Sequence, residues 1–206
     1  MAAKIAVGAA VLFAAAMFLT VASVNVPHDP TENELVEWWQ QQGNRTSGVV
    51  SGASALCAAA LFALLMSHVL QLDATRRSPT WRAFARTMAS AFTAAMLVTA
   101  ATRSAIAHLV DVMGEPLPGA DTLRYATALN YQVLGLTAMG ALSLAIVATS
   151  VLALRTAAYA RWAAWVGLAC GPVMLAAAVA GYGGFTVPLA ILWSVTLGIA
   201  VQPRTR

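Results

Sequence analysis

Residues 86–111 read RTMASAFTAAMLVTAATRSAIAHLVD, an apolar run with a basic head, an acidic tail and an arginine inside it. At about 1.5 Å per residue, a helix from Arg86 to Arg103 rises roughly 26 Å, close to the hydrocarbon thickness of a bilayer. The stretch predicts a membrane span. Its head adjoins Arg76, Arg77 and Arg82, and its tail enters a segment with Asp111, Glu115 and Asp121, so its ends face opposite compartments.

Composition extends that reading to the whole chain. Of 206 residues 60% are hydrophobic and 10% charged, against an apolar share of about 45–50% in ordinary soluble domains. The net charge of +4 does not signal a nucleic-acid partner, because the arginines sit in short connections between apolar runs, where they act as orientation signals. Cys57 and Cys170 each stand alone in an apolar run without CxxC or metal-type spacing, and read as small hydrophobes.

The fold expected is all-α: one polytopic transmembrane helical bundle over 1–206, with spans at about 4–24, 47–72, 84–109, 123–154, 162–182 and 185–201. The first is read as a retained anchor, although Val21-Ala22-Ser23 resembles a weak cleavage site. A short interfacial helix at about 31–42 separates the first two spans. Thr31 and Glu34 form a capping box for it, and Gly43 is placed to end it. Leu35, Trp38 and Trp39 share a face, which puts the tryptophans at the headgroups or makes the helix an anchor that closes the bundle end.

Gly48 with Gly52, and Gly167 with Gly171, are GxxxG pairs suited to close helix approach. Pro172 removes a backbone hydrogen bond within the fifth span, and Pro188 falls in the first turn of the sixth. Alternating the ends puts Lys4, Arg76, Arg77, Arg82, Arg86, Arg155, Arg161, Arg204 and Arg206 on one side and Arg45, Arg103 and Arg124 on the other. By the positive-inside rule both termini are expected in the cytoplasm of a bacterium, with the chain in its plasma membrane.

Polar residues gather at the opposite, outer end. The candidate ligand-binding residues are Arg103, His108, Asp111, Asn130 and Gln132, because an ionisable group at membrane depth needs water or a partner to offset its desolvation. The expected partner of Arg103 is Asp111, two turns along the same helix, or Glu115 beyond it, with a substrate-anion site as the alternative. His28, His108 and Asp111 are the residues a metal reading would use, but HxxxH and HExxH spacings are absent, so no metal and no other cofactor is expected. No catalytic residue is assigned either. Val49-Val50-Ser51-Gly52 lacks the first glycine of a GxSG nucleophile motif, and no GxxxxGK loop occurs.

Taken in order, NELVEWWQQQGNRTSGVVSGASAL, ALNYQVLGL and ALRTAAYARWAAWVGLACGPV resemble the six-span integral membrane proteins of actinobacteria that carry a domain of unknown function. Trp38, Trp39, Arg45, Arg161, Trp162 and Trp165 stand at matching places, and Ala160 replaces a proline usual before the matching arginine. The resemblance implies a fold and an inner-membrane setting, and no activity. The function expected is a non-enzymatic accessory or scaffold subunit working through helix-helix contacts with a membrane partner or a second copy. The alternatives are a small-solute or ion permease with its mouth around Arg103, and an outer-face metal-dependent enzyme.

Overall fold

The computed structural model describes residues 2–23, 26 and 30–201; His28, Arg204 and Arg206, used in the sequence reading, lie outside them. The described chain is helical: α1 (Ala2–Ala22), α2 (Glu32–Gln40), α3 (Gln42–Gln71), α4 (Pro79–Ala107), α5 (Ala120–Gln132), α6 (Met139–Thr156), α7 (Arg161–Val179) and α8 (Val187–Ala200). A π-helical turn, His108–Val112, prolongs α4, and another, Val133–Ala138, joins α5 to α6 as one element of 37 residues. Six helical elements are long and apolar enough to cross a membrane.

The six neighbour one another in a closed ring that follows chain order. α1 packs on α3, α3 on α4, α4 on α6, α6 on α7, α7 on α8, and α8 returns to α1. Phe13, Phe62, Phe92 and Trp193 are buried across the middle of this ring. Ring centroids of Phe62 and Phe92 stand 4.5 Å apart, and those of Phe13 and Phe92 6.1 Å apart, so the centre is packed aromatic surface.

Both GxxxG pairs are used inside the ring. A Cβ on Gly48 would stand 2.8 Å from the Arg103 carbonyl oxygen, and one on Gly52 2.8 Å from that of Ala100. Only glycine lets the α3 and α4 backbones meet there. Gly167 and Gly171 face α6 in the same way, against Ser150 and Val147.

α2 begins as its sequence predicts. Thr31 Oγ1 accepts from the Glu34 backbone N–H, and the Glu34 carboxylate accepts from the Thr31 N–H at 2.8 Å. The Thr31 N–H and, after it, the Thr31 hydroxyl, which donates to the same carboxylate at 2.8 Å, hold the Glu34 carboxyl below its ordinary range.

Its end differs from expectation. Gly43 does not terminate α2; the chain turns at Gln41, whose ψ is 119°, and Gly43 already belongs to α3. The last α2 carbonyls are capped by side chains from α3: Asn44 Nδ2 donates to Trp38 O at 2.8 Å, and Arg45 Nη1 donates to Trp39 O and Gln40 O at 2.9 and 2.7 Å. With those acceptors satisfied, no glycine cap is needed. Leu35 and Trp39 are buried with Val26, Ile106 and Leu123, so α2 closes the end of the bundle.

Candidate functional site

Arg103 sits on α4 about three helical turns beyond Phe92 and is 6% exposed. Its Nη1 donates to the Thr20 carbonyl oxygen at the end of α1 and to Ser51 Oγ on α3. The Ser51 hydroxyl donates in turn to the same Thr20 oxygen at 2.6 Å. Three helices thus meet on one guanidinium.

The partner expected for it is engaged elsewhere. Asp111 Oδ1 accepts from Arg45 Nε and Nη2, both at 2.9 Å. The other described ion pairs are Arg76 with Asp73 and Arg124 with Glu32. Among the described residues, Arg103 therefore has no carboxylate within ion-pair distance. The reason is topological: the α3 start carries Arg45 across to the π turn after α4, where it reaches Asp111 first.

What Arg103 does face is a cavity of about 20 Å³ that it lines with Trp39, Gly48, Thr127, Asn130 and Tyr131. Such a volume admits about one water or an ion of similar size. Three of the lining residues carry a buried polar atom without a protein partner: Arg103 Nε, Trp39 Nε1 and Thr127 Oγ1. A guanidinium and an indole N–H only donate, so only an acceptor can satisfy them. Asn130 is held in place by Thr102, whose Oγ1 donates to Asn130 Oδ1 at 2.6 Å.

The residues singled out from sequence therefore separate. Arg103 and Asn130 meet at the cavity; Asp111 is tied to Arg45; His108 and Gln132 are exposed and outside it. Among the described residues no three His, Cys, Asp or Glu side chains gather to hold a metal ion.

Trp39, Thr127, Tyr131, Ser51 and Thr20 were absent from the sequence-derived set. Thr127, Asn130 and Tyr131 recur at helical spacing and form a legible polar stripe. Trp39 gave no such signal, because a helix with Leu35, Trp38 and Trp39 on one face suits a membrane surface and a bundle end equally.

Trp39 reaches the cavity because Arg45 and Asp111 latch α2 down. Charge-assisted hydrogen bonds contribute about 1.5–3 kcal/mol each. Arg45→Ala should therefore speed amide exchange within residues 34–40 by roughly 10- to 100-fold while the core of α3 stays protected. Unchanged exchange there would mean that Leu35 and Trp39 alone hold the cap.

Compared with models of known protein families, with curated proteins and with solved structures, the chain matches none.

Proposed function

We propose that this chain is a non-enzymatic membrane protein that binds a small anion at Arg103 beneath the α2 cap. One observation carries the reading: a buried guanidinium without a carboxylate partner among the described residues lines a small cavity together with unpaired donors from Trp39 and Thr127. Burying a charge without compensation is costly. A monatomic anion such as chloride supplies the missing charge and the missing acceptor at once, in a volume that suits it.

The arginine distribution supports a position for this site on the outer side of a bacterial plasma membrane, with both termini inside. The aromatic packing across the ring favours binding over an open conduction path. The GxxxG faces that would serve a scaffold role are occupied within the bundle, which favours recognition at Arg103.

Thermal unfolding in mild detergent tests it. At constant ionic strength and pH, exchanging gluconate for chloride or bromide should raise the midpoint progressively with halide concentration, as ligand linkage requires. A midpoint that does not depend on the anion at any concentration would remove the site.

A further inference from the structure

A second opening lies between α3 and α4 at the arginine-rich end, away from Arg103. It is a groove of about 440 Å³, within the range of about 300–1,000 Å³ over which pockets take a small ligand. Its origin is in the sequence. Gly48 and Gly52 bring the two backbones into contact at one end, while the Phe62 and Phe92 rings stand between them further along. Past those rings the helices part.

The groove has two chemical halves. Met66, Leu70 and Leu97 make apolar wall, and Arg86, Gln71 and Ser90 line it with polar groups. Arg86 belongs to none of the described ion pairs. Its neighbour Arg82 is committed to the bundle, donating from Nε to Leu70 O at 2.9 Å. Hydroxyls facing lipid commonly bond back to their own helix, as Thr87 and Thr93 do. Ser90 makes no such bond, which leaves its hydroxyl for a ligand. Among the described residues the one carboxylate at this end, Asp73, is exposed and paired with Arg76 at 3.5 Å, so Arg77, Arg82 and Arg86 leave the region strongly positive.

We propose that this groove seats one anionic phospholipid of the surrounding bilayer, its phosphate on Arg86 with Ser90 and Gln71, and an acyl chain along Met66, Leu70 and Leu97. The cation sits at the mouth and the apolar wall runs toward the middle of the membrane, the order in which a phospholipid presents head and tail. The charge selects an anionic headgroup over a zwitterionic one. The inference rests on the membrane reading and is independent of the anion site at Arg103.

The test is lipid retention by the full chain in nanodiscs of mixed phosphatidylglycerol and phosphatidylcholine, read by native mass spectrometry after release. Wild type should keep one phosphatidylglycerol with roughly fivefold preference, the effect of one basic side chain at an anionic surface. Arg86→Gln should lose the preference. Ala94→Trp, which fills the groove, should lose the bound lipid of either kind. Arg77→Gln, outside the groove, should behave as wild type.

Equal retention of the two lipids by wild type would overturn the proposal. So would equal loss in Arg77→Gln and Arg86→Gln, which would assign the preference to diffuse charge, or a second copy of the chain appearing in place of lipid. Failure of every variant to enter nanodiscs would instead refute the membrane reading, so the two failures are distinguishable.

Discussion

Arg103→Met should fold at least as well as the wild type without halide and should lose the halide response altogether. An isolated buried charge carries a desolvation penalty of several kcal/mol, and its replacement by an apolar side chain of similar reach is often neutral or stabilising. The substitution also leaves little unsatisfied behind it, because Ser51 still donates to the Thr20 carbonyl oxygen at 2.6 Å. In the wild type, chloride at 100 times its dissociation constant should contribute about 2.7 kcal/mol. For a chain of this size each kcal/mol moves the midpoint by about 2–4 °C, so the halide shift should be about 5–10 °C in wild type and nil in Arg103→Met.

A purely structural arginine predicts the reverse pattern. If its role is to clamp α1 and α3 onto α4, Arg103→Met loses several degrees in every anion and the wild type shows no halide shift. Trp39→Phe separates the two accounts further. It keeps the ring that fills the bundle end and deletes the unpaired indole N–H, so halide affinity should fall by about tenfold or more, as for loss of one hydrogen bond to a charged group, with the midpoint in gluconate hardly changed.

The six long apolar helices were legible because their signal is local. Twenty apolar residues closed by arginines mark a helix long and apolar enough to cross a bilayer without knowledge of what packs on it, and the Thr31–Glu34 box likewise involves residues three apart. Arg103 was legible for the same reason, as an ionisable residue inside an apolar run. Its surroundings were not. The Arg45–Asp111 pair joins residues far apart in sequence, and helical spacing alone suggested that Asp111 was available to Arg103.

The two π turns add a second cause. One begins at His108, beyond Arg103 on the same element, and the other at Val133, beyond Asn130 and Tyr131. An inserted π turn shifts the phase of every side chain beyond it, so an α-helical count through 108–112 misplaces Asp111. Gly43 failed for a third reason, since the α2 carbonyls found side-chain donors that begin the next helix.

Gly48→Ala should lower stability and weaken halide binding together, because one backbone contact serves both. The added Cβ would meet the carbonyl oxygen of Arg103 itself at 2.8 Å, and the Trp39 ring at 4.0 Å. A carbonyl in mid-helix cannot swing aside as a side-chain tip can, so α4 has to move, and overpacking of this kind costs about 1–3 kcal/mol. That predicts a midpoint drop of about 2–12 °C. The same movement displaces Arg103 relative to Trp39 and Thr127, whose donors have to converge on one small ion. Gly52→Ala strains the same crossing through the Ala100 carbonyl, so the double variant should fall short of the sum of the singles. Gly140→Ala supplies the contrast: nothing stands within 4 Å of its Cβ position inside α6, and replacing a helical glycine there should stabilise by up to about 1 kcal/mol with halide affinity unchanged. If Gly48→Ala lowers the midpoint but leaves halide affinity at the wild-type value, the α3–α4 crossing supports the fold without setting the geometry of the site.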